Sequence, residues 1–353
     1  MASQLAYKAV LDTLYFSGAQ TVARFWFGGL GSILMLHRVD DRRAGEFAPN
    51  DHLTVSPGFL DRLFRRLRRA GYEFISMDEV VTRLETYKPR RWREPFIAVT
   101  LDDGYRDNLV NAVPVFRKHA IPFTIYVAPG LVEGRATLWW EDLEAVIASR
   151  DRFLLESPNG RIEFDVSTVA KKDRAYGEIL ALLTRGVDED EQRRLVAGLT
   201  RQAGIDAKAS CARSIMGWRE IVELSRDPLC TIGAHTVRHF ALARLSAERA
   251  MAEIEESASI LEMELGRRPR HLAYPYGYPA AAGKREFAMA RQAGFASAVT
   301  TRHGVLYPGH VDHMHALPRI SLNGHFQAKR YVDTLLSGLP TRLANGGRAL
   351  NVA

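Results

Sequence analysis

The sequence predicts an α/β fold: a distorted (β/α) barrel of about seven parallel strands with a mostly helical insertion. Two observations support this prediction. Short apolar or β-branched runs alternate along the chain with segments of helical periodicity, an alternation typical of parallel sheets. The length of 353 residues, with 46% hydrophobic and 25% charged residues, is ordinary for one globular domain of this kind.

The predicted strands are the apolar runs that end at polar or turn-forming residues. Because a helical segment follows most of them, we expect the strands to run parallel and their carboxyl ends to meet at one face of the barrel. The runs are residues 33–36, 73–76, 96–101, 123–127, 230–233, 271–274 and 296–300.

The alternation stops between Val127 and Cys230. Residues 131–215 are therefore predicted to form an insertion, with a strand at 161–165 followed by two polar helices between about 168 and 203. The domain boundaries that follow are residues 1–30 for an N-terminal helical segment, 31–325 for the barrel, and 326–353 for a C-terminal helix and tail.

The charge of the chain is +7, with a pI near 9.5. Its densest basic cluster lies within residues 57–70, where Leu60, Phe64 and Leu67 form an apolar stripe between a capping Ser56 and a terminating glycine. The arginines of this segment are thus interpreted as the solvated face of an amphipathic helix, and no nucleic-acid partner is expected. The two cysteines, which form no paired motif, are expected to be buried free thiols.

The N-terminal segment is apolar but interrupted. Charged residues divide it, and no uncharged stretch reaches the ~18 residues of a membrane span. Without a clear cleavage site either, the sequence predicts a cytoplasmic protein. Phe25, Trp26, Phe27 and Leu30 are candidates for peripheral contact with a membrane, and packing of an N-terminal helix explains them equally well.

Two short motifs predict a metal centre. Asp102 and Asp103 are adjacent at the end of a predicted strand, and His235 and His239 are separated by three residues. Neighbouring carboxylates on a strand point to opposite sides, so one can join the histidines on a metal while the other lies beside it. Histidines at this spacing share a face if the segment is helical. Zinc suits such a site, and cobalt, nickel, manganese or iron(II) are not excluded.

These motifs occur in a fixed order with Leu-Met-Leu-His-Arg-Val at 34–39 and Leu-Ala-Tyr-Pro-Tyr-Gly at 272–277. Together they resemble the polysaccharide deacetylase family, carbohydrate esterase family 4, over roughly residues 30–325. The resemblance implies a catalytic domain in which Asp102 is the general base. It further implies that Asp103, His235 and His239 bind the metal, and that the backbone N–H of Tyr276 stabilises an oxyanion.

The sequence departs from the family pattern at two places. The family commonly has an arginine two residues before the proline of its third motif, where this chain has Ala273; Arg319 is a candidate substitute. A C-terminal acid motif is hard to find, and His37 instead resembles the N-terminal histidine of the branch that acts on poly-N-acetylglucosamine. We expect His37 to be the catalytic acid, on the side of the metal opposite Asp102, with His315 as the alternative.

Several residues are candidates for substrate binding. Trp139 and Trp140 open the insertion, where they form an aromatic wall for sugar rings or, with equal weight, anchor the insertion to the barrel. Pro275 and Arg319 complete the predicted substrate-binding set. The further histidines at 303, 310 and 313 have no ligand spacing and are interpreted as loop residues.

The resemblance implies a metal-dependent hydrolase that removes N-acetyl groups from an N-acetylglucosamine-containing oligo- or polysaccharide and releases acetate. Two alternatives stay open at the level of sequence. One is hydrolysis of another non-peptide C–N bond, such as that of a small or cyclic amide. The other is a metal- or glycan-binding module without turnover. An iron oxygenase uses similar ligands, but the second carboxylate has an obvious role only in hydrolysis.

Overall fold

The computed structural model describes residues 2–41, 45–88, 94–158 and 160–352. The strands are β1 Gly31–Leu36, β2 Arg38–Val39, β3 Thr54–Val55, β4 Glu73–Phe74, β5 Phe96–Leu101, β6 Phe123–Val127, β7 Arg152–Ser157, β8 Gly160–Asp165, β9 Cys230–Ala234, β10 His271–Ala273, β11 Ser297–His303 and β12 Leu317–Ser321. The helices are α1 Ala2–Phe16, α2 Ala19–Phe27, α3 Pro57–Arg69, α4 Met77–Glu85, α5 Val113–Lys118, α6 Pro129–Val132, α7 Trp139–Ala148, α8 Val169–Ala181, α9 Glu189–Ala203, α10 Ala207–Ser214, α11 Trp218–Leu224, α12 Ala247–Leu265, α13 Lys284–Gln292, α14 Lys329–Leu336 and α15 Leu339–Ala344.

Seven parallel strands form a closed barrel. They follow the order β1, β12, β11, β10, β9, β6, β5, and β5 pairs back to β1 along its whole length. Helices surround this ring, so the predicted distorted (β/α) barrel is confirmed. The carboxyl ends of the strands meet at one face, as expected for this architecture.

The strand prediction differs from the structure at two places. The run at 73–76 contributes only β4, which pairs with the first residues of β5 and lies outside the ring. The seventh barrel strand is β12, which the sequence analysis missed because Pro318 lies inside it. Proline cannot donate to a ladder, and the pairing of β11 with β12 is irregular at this level.

Helix α3 shows how the basic cluster is accommodated. Ser56 accepts a hydrogen bond from the N–H of Phe59 at 3.2 Å, which caps the helix. One face buries its apolar residues against the barrel, and the arginines occupy the other. The predicted amphipathic helix is therefore present, and both cysteines are buried free thiols, as expected.

The segment between β6 and β9 has a hydrophobic core of its own. It contains helices α6 to α11 and the antiparallel hairpin of β7 and β8. Leu143, Phe153, Leu195 and Leu199 are buried in this second core together with Trp139. The segment therefore packs as a unit beside the carboxyl ends of the strands.

The helices at the two ends of the chain pack together. Helix α1 lies against α14, and α2 contacts α1, α14 and α15. Leu11 and Ala23 are the side chains through which α1 and α2 are buried. Within the described residues, no helix is both long enough and apolar enough to cross a bilayer.

Candidate active site

Asp103, His235 and His239 come together in a buried group at the carboxyl ends of β5 and β9. The Oδ1 atom of Asp103 lies 3.4 Å from Nε2 of His235 and 3.2 Å from Nε2 of His239. Within the described part of the chain, this is the one group of at least three such side chains that could hold a metal ion. The structure thus brings together the three ligands that the sequence analysis proposed.

The geometry of this group fits a divalent cation. Two bonds of ~2.1 Å at a tetrahedral angle hold ligand atoms ~3.4 Å apart, close to the distances between Asp103 and the two imidazoles. Oδ1 of Asp103 is buried and has no hydrogen-bond partner among the described residues, as expected for an atom whose partner is a metal. The residues present therefore fit a metal centre.

The protonation states of Asp103 and His239 also suit metal ligands. Burial alone would raise the pKa of Asp103, but the two imidazoles outweigh it and hold the pKa well below its ordinary value. Burial lowers the pKa of His239 to about 4, which keeps its ring neutral near pH 7. The Nδ1 atom of His235 lies 2.7 Å from the carbonyl of Ala273, a contact that directs Nε2 toward Asp103.

The two histidines do not share a helical turn, contrary to one expectation. Residues 235–239 form an irregular loop after β9, in which Thr236 and His239 have positive φ angles of 58° and 56°. Glu253 on α12 supports this loop, because one of its carboxylate oxygens accepts from the backbone N–H groups of Val237 and Arg238 at 2.9 and 2.8 Å. Loop geometry, rather than helical spacing, brings the rings together.

Asp102 is held by Arg319 inside the barrel. The guanidinium of Arg319 donates from two nitrogens to the two oxygens of Asp102, at 2.7 and 2.6 Å, and both side chains are buried. Arg319 also donates to the carbonyl of Thr300 and to the hydroxyl of Thr100. In the family pattern, the arginine that would contact this carboxylate stands at the position of Ala273 on β10. In this chain Arg319 contacts the carboxylate from β12.

The buried position of Arg319 corrects its predicted role in substrate binding and also affects the pKa of Asp102. Arg319 was expected to bind substrate, but it is fully buried and does not line the cleft; of the predicted site residues it contacts Asp102. Burial would raise the pKa of Asp102, whereas the charge and hydrogen bonds of Arg319 lower it below the ordinary value. Asp102 is thus a carboxylate at neutral pH.

His37 lies in the cleft at the end of β1. Its Nε2 atom is 3.9 Å from Oδ2 of Asp102, so it lies beside Asp102. We had expected it on the side of the metal opposite Asp102. His315, the alternative acid, is turned away from the cleft, and its Nε2 contacts the carbonyl of Phe295 at 2.7 Å.

Tyr276 occupies a strained turn after β10. Its φ angle is 61°, and the N–H of Gly277 donates to the carbonyl of Pro275 across it at 2.7 Å. No acceptor is found for the backbone N–H of Tyr276 among the described residues. Pro275 itself is buried and does not line the cleft, so it shapes the turn instead of contacting substrate as predicted.

Trp139 and Trp140 are nearly buried at the wall of the cleft. Their indole N–H groups donate to the hydroxyls of Tyr276 and Tyr105, at 2.8 and 3.1 Å, and the ring of Trp140 lies 4.9 Å from that of His239. These contacts favour the anchoring role, because little of either ring is open to a sugar. Stacking on a sugar stays a prediction.

The metal group forms the floor of a cleft of about 750 Å³, within the range of small-molecule sites. The sequence analysis did not identify most of its wall. One face of α8 and the turn after it supply Tyr176, Gly177, Leu180, Ala181, Thr184 and Arg185. Asn50, His52, Leu53, Leu322 and Asn323 also line the cleft. These residues carry no chemical motif, and only tertiary packing places them at the cleft.

Comparison with known proteins agrees with this geometry. A model of the polysaccharide deacetylase family matches residues 191–298, the part that contains His235, His239 and Tyr276. Among curated proteins, no sequence matches the chain significantly.

Solved structures share the fold over most of the chain. The deacetylase PplD of Streptococcus pyogenes, in complex with acetate, is 18% identical, with a TM-score of 0.57 over 86% of this chain and 97% of that one. IcaB of Ammonifex degensii is 19% identical, with a TM-score of 0.55 over 87% and 98%. A de-N-acetylase of Aggregatibacter actinomycetemcomitans is 13% identical, with a TM-score of 0.55 over 86% and 98%.

The fold and the site together define a (β/α) barrel whose buried Asp-His-His group adjoins a second carboxylate. Residues 191–298 of the chain match the polysaccharide deacetylase family, and the solved deacetylases share its fold.

Proposed function

We propose that this protein is a metal-dependent hydrolase that removes N-acetyl groups from an oligo- or polysaccharide containing N-acetylglucosamine. The observation that carries the proposal is that two adjacent carboxylates have different neighbours. Asp103 lies among the imidazoles of His235 and His239, whereas Asp102 is held by Arg319. A ligand and a base are thus separate groups on one strand end.

The metal would supply Lewis acidity. Asp103, His235 and His239 would hold a divalent cation, which would make the acetyl carbonyl more electrophilic and the attacking water more acidic. Zinc suits a hydrolase without redox chemistry, and the same ligands accept cobalt, nickel, manganese or iron(II).

The other steps of the reaction are assigned to residues of the barrel. Asp102 accepts a proton from the attacking water, and because its pKa is low it is a weak base that needs an acidic water molecule. The N–H of Tyr276 donates to the carbonyl oxygen as negative charge develops there. His37 delivers a proton to the nitrogen as the C–N bond breaks, so the products are acetate and a free amino sugar.

The substrate assignment extends what the family implies. The cleft has a volume of about 750 Å³, and its walls combine apolar side chains with a few polar ones, such as Asn50 and Asn323. The cytoplasmic location and the lack of a nucleic-acid partner stay predictions from the sequence.

The test is acetate release from a series of N-acetylglucosamine oligomers. We expect turnover that a chelator abolishes and added zinc restores, and a turnover lower by ~10²- to 10⁴-fold in the matched variant Asp102→Asn, which keeps the metal ligands. Failure to release acetate from any N-acetylated oligomer, together with turnover of a small cyclic amide, would overturn the proposal.

A further inference from the structure

In their described residues, the N-terminal helices expose apolar side chains and no charged ones. Among the described residues 5–30, none of the exposed side chains is charged. Phe16, Phe25 and Trp26 are instead 76%, 74% and 70% exposed. Half of the large hydrophobic side chains that are exposed in the described chain lie in this segment: Leu5, Tyr7, Val10, Phe16, Val22, Phe25 and Trp26.

The charged residues of these helices are turned toward the protein. Lys8 lies over the ring of Phe326, with Nζ 5.5 Å from its centroid. Asp12 pairs with Arg330, and the guanidinium of Arg24 lies over the ring of Tyr72 at 4.5 Å. A surface helix of a soluble protein ordinarily has the opposite arrangement.

The exposed apolar residues follow helical spacing. In α2, Val22, Phe25 and Trp26 stand at positions i, i+3 and i+4, so they share one face, and the buried Ala23 lies on another. With 15 and 9 residues, α1 and α2 are well short of the ~20 residues of a membrane span. Such helices can lie on a bilayer with their aromatic residues at the level of the headgroups.

The segments that form and adjoin this face carry a net positive charge. The terminal segments 1–30 and 326–353, whose helices pack together, contain six basic and two acidic residues. Both acidic residues are paired, Asp12 with Arg330 and Asp333 with Arg66. A net charge of +4 out of +7 thus lies on these two segments, and it complements an anionic surface.

We propose that the exposed face of α1 and α2 docks on a lipid bilayer that contains anionic phospholipids. The aromatic side chains enter the headgroup region, and the neighbouring basic residues attract the anionic lipids. The proposal concerns a surface outside the cleft and does not depend on the proposed catalytic activity.

The test is flotation of the full-length protein with vesicles of phosphatidylcholine alone and of phosphatidylcholine mixed with phosphatidylglycerol. We expect binding to the mixed vesicles that weakens in high salt. The variant Phe25→Ser/Trp26→Ser should bind at least about tenfold less, because it loses two exposed aromatic groups. The matched control is Val110→Ser/Met263→Ser, which changes two exposed hydrophobic residues elsewhere and should bind like the wild type.

Three readouts distinguish the outcomes. Turnover of a soluble substrate and the circular dichroism spectrum should be the same in all variants, which separates docking from folding and catalysis. Emission of the wild type should be quenched by brominated lipids more strongly than that of Trp26→Phe. Absence of flotation, or equal loss in the control variant, overturns the proposal. So does a dimer in sedimentation that Phe25→Ser/Trp26→Ser disrupts without any vesicle binding, because a second copy then covers the face.

Discussion

Replacing Arg319 by methionine tests how the barrel holds its base. The substitution keeps much of the buried volume but leaves the carboxylate of Asp102 inside the protein without a counter-charge. Arg319 donates two hydrogen bonds to that carboxylate, and each bond to a charged group contributes roughly 1.5–3 kcal/mol. Breaking a buried ion pair from one side costs about 3–5 kcal/mol. We therefore expect Arg319→Met to lower the free energy of unfolding by about 3–5 kcal/mol at neutral pH.

The same variant should lose activity without losing metal. Arg319 contacts Asp102 but none of the three proposed metal ligands, so metal content should not change, while kcat/KM should fall by ~10²-fold or more. With Arg319 gone, the pKa of Asp102 should rise, because burial raises it and the main influence that lowers it is lost. A carboxyl with a higher pKa stays protonated to higher pH, so the acid limb of the kcat/KM profile should move upward in pH.

A double variant provides the control. Asp102→Asn/Arg319→Met removes the unpaired charge, so it should recover much of the stability lost in Arg319→Met while remaining inactive. Chemical denaturation, metal analysis and pH profiles measure these quantities. If the double variant is as unstable as Arg319→Met, or if Arg319→Met keeps wild-type activity, the salt bridge does not position the base.

Three further predictions concern the site. Asp102→Asn should keep its metal and lose ~10²- to 10⁴-fold in turnover, whereas Asp103→Asn should mainly lose metal; metal analysis showing the reverse order exchanges the two roles. His37→Ala should bind metal normally but turn over slowly, and His315→Ala should remain active; an inactive His315→Ala of normal stability would transfer the acid role to His315. Glu253→Gln should weaken metal binding ~10- to 100-fold in a metal titration, because its carboxylate supports the histidine loop; an unchanged affinity would show that the loop holds its shape without that charge.

The sequence predicted most of the barrel because its strands are encoded locally. The run 96–101 is a continuous apolar stretch that ends at Asp102, and its bounds agree with β5. By contrast, β12 was missed because Pro318 conflicts with the ordinary pattern of a strand. Its pairing depends on an irregular ladder with β11, which arises only when the barrel closes.

The candidate site was predictable to a similar degree. Asp103, His235 and His239 could be grouped from their chemistry, and the structure brings them together. Arg319 could be chosen as a substitute for the missing arginine, but its contact with Asp102 joins residues 217 positions apart in sequence, so sequence could not distinguish a buried partner from a substrate ligand. The cleft wall supplied by α8 depends entirely on how the insertion packs.

The backbone at the site was beyond sequence analysis for a further reason. Of the five residues other than glycine with positive φ in the described chain, four are Asp103, Thr236, His239 and Tyr276. Such conformations cost roughly 1–3 kcal/mol each and persist only where surrounding contacts enforce them. Here those contacts include the hydrogen bonds of Glu253 to the histidine loop. The barrel therefore holds the proposed ligands and the oxyanion donor in position before substrate arrives, and local sequence preferences oppose that arrangement.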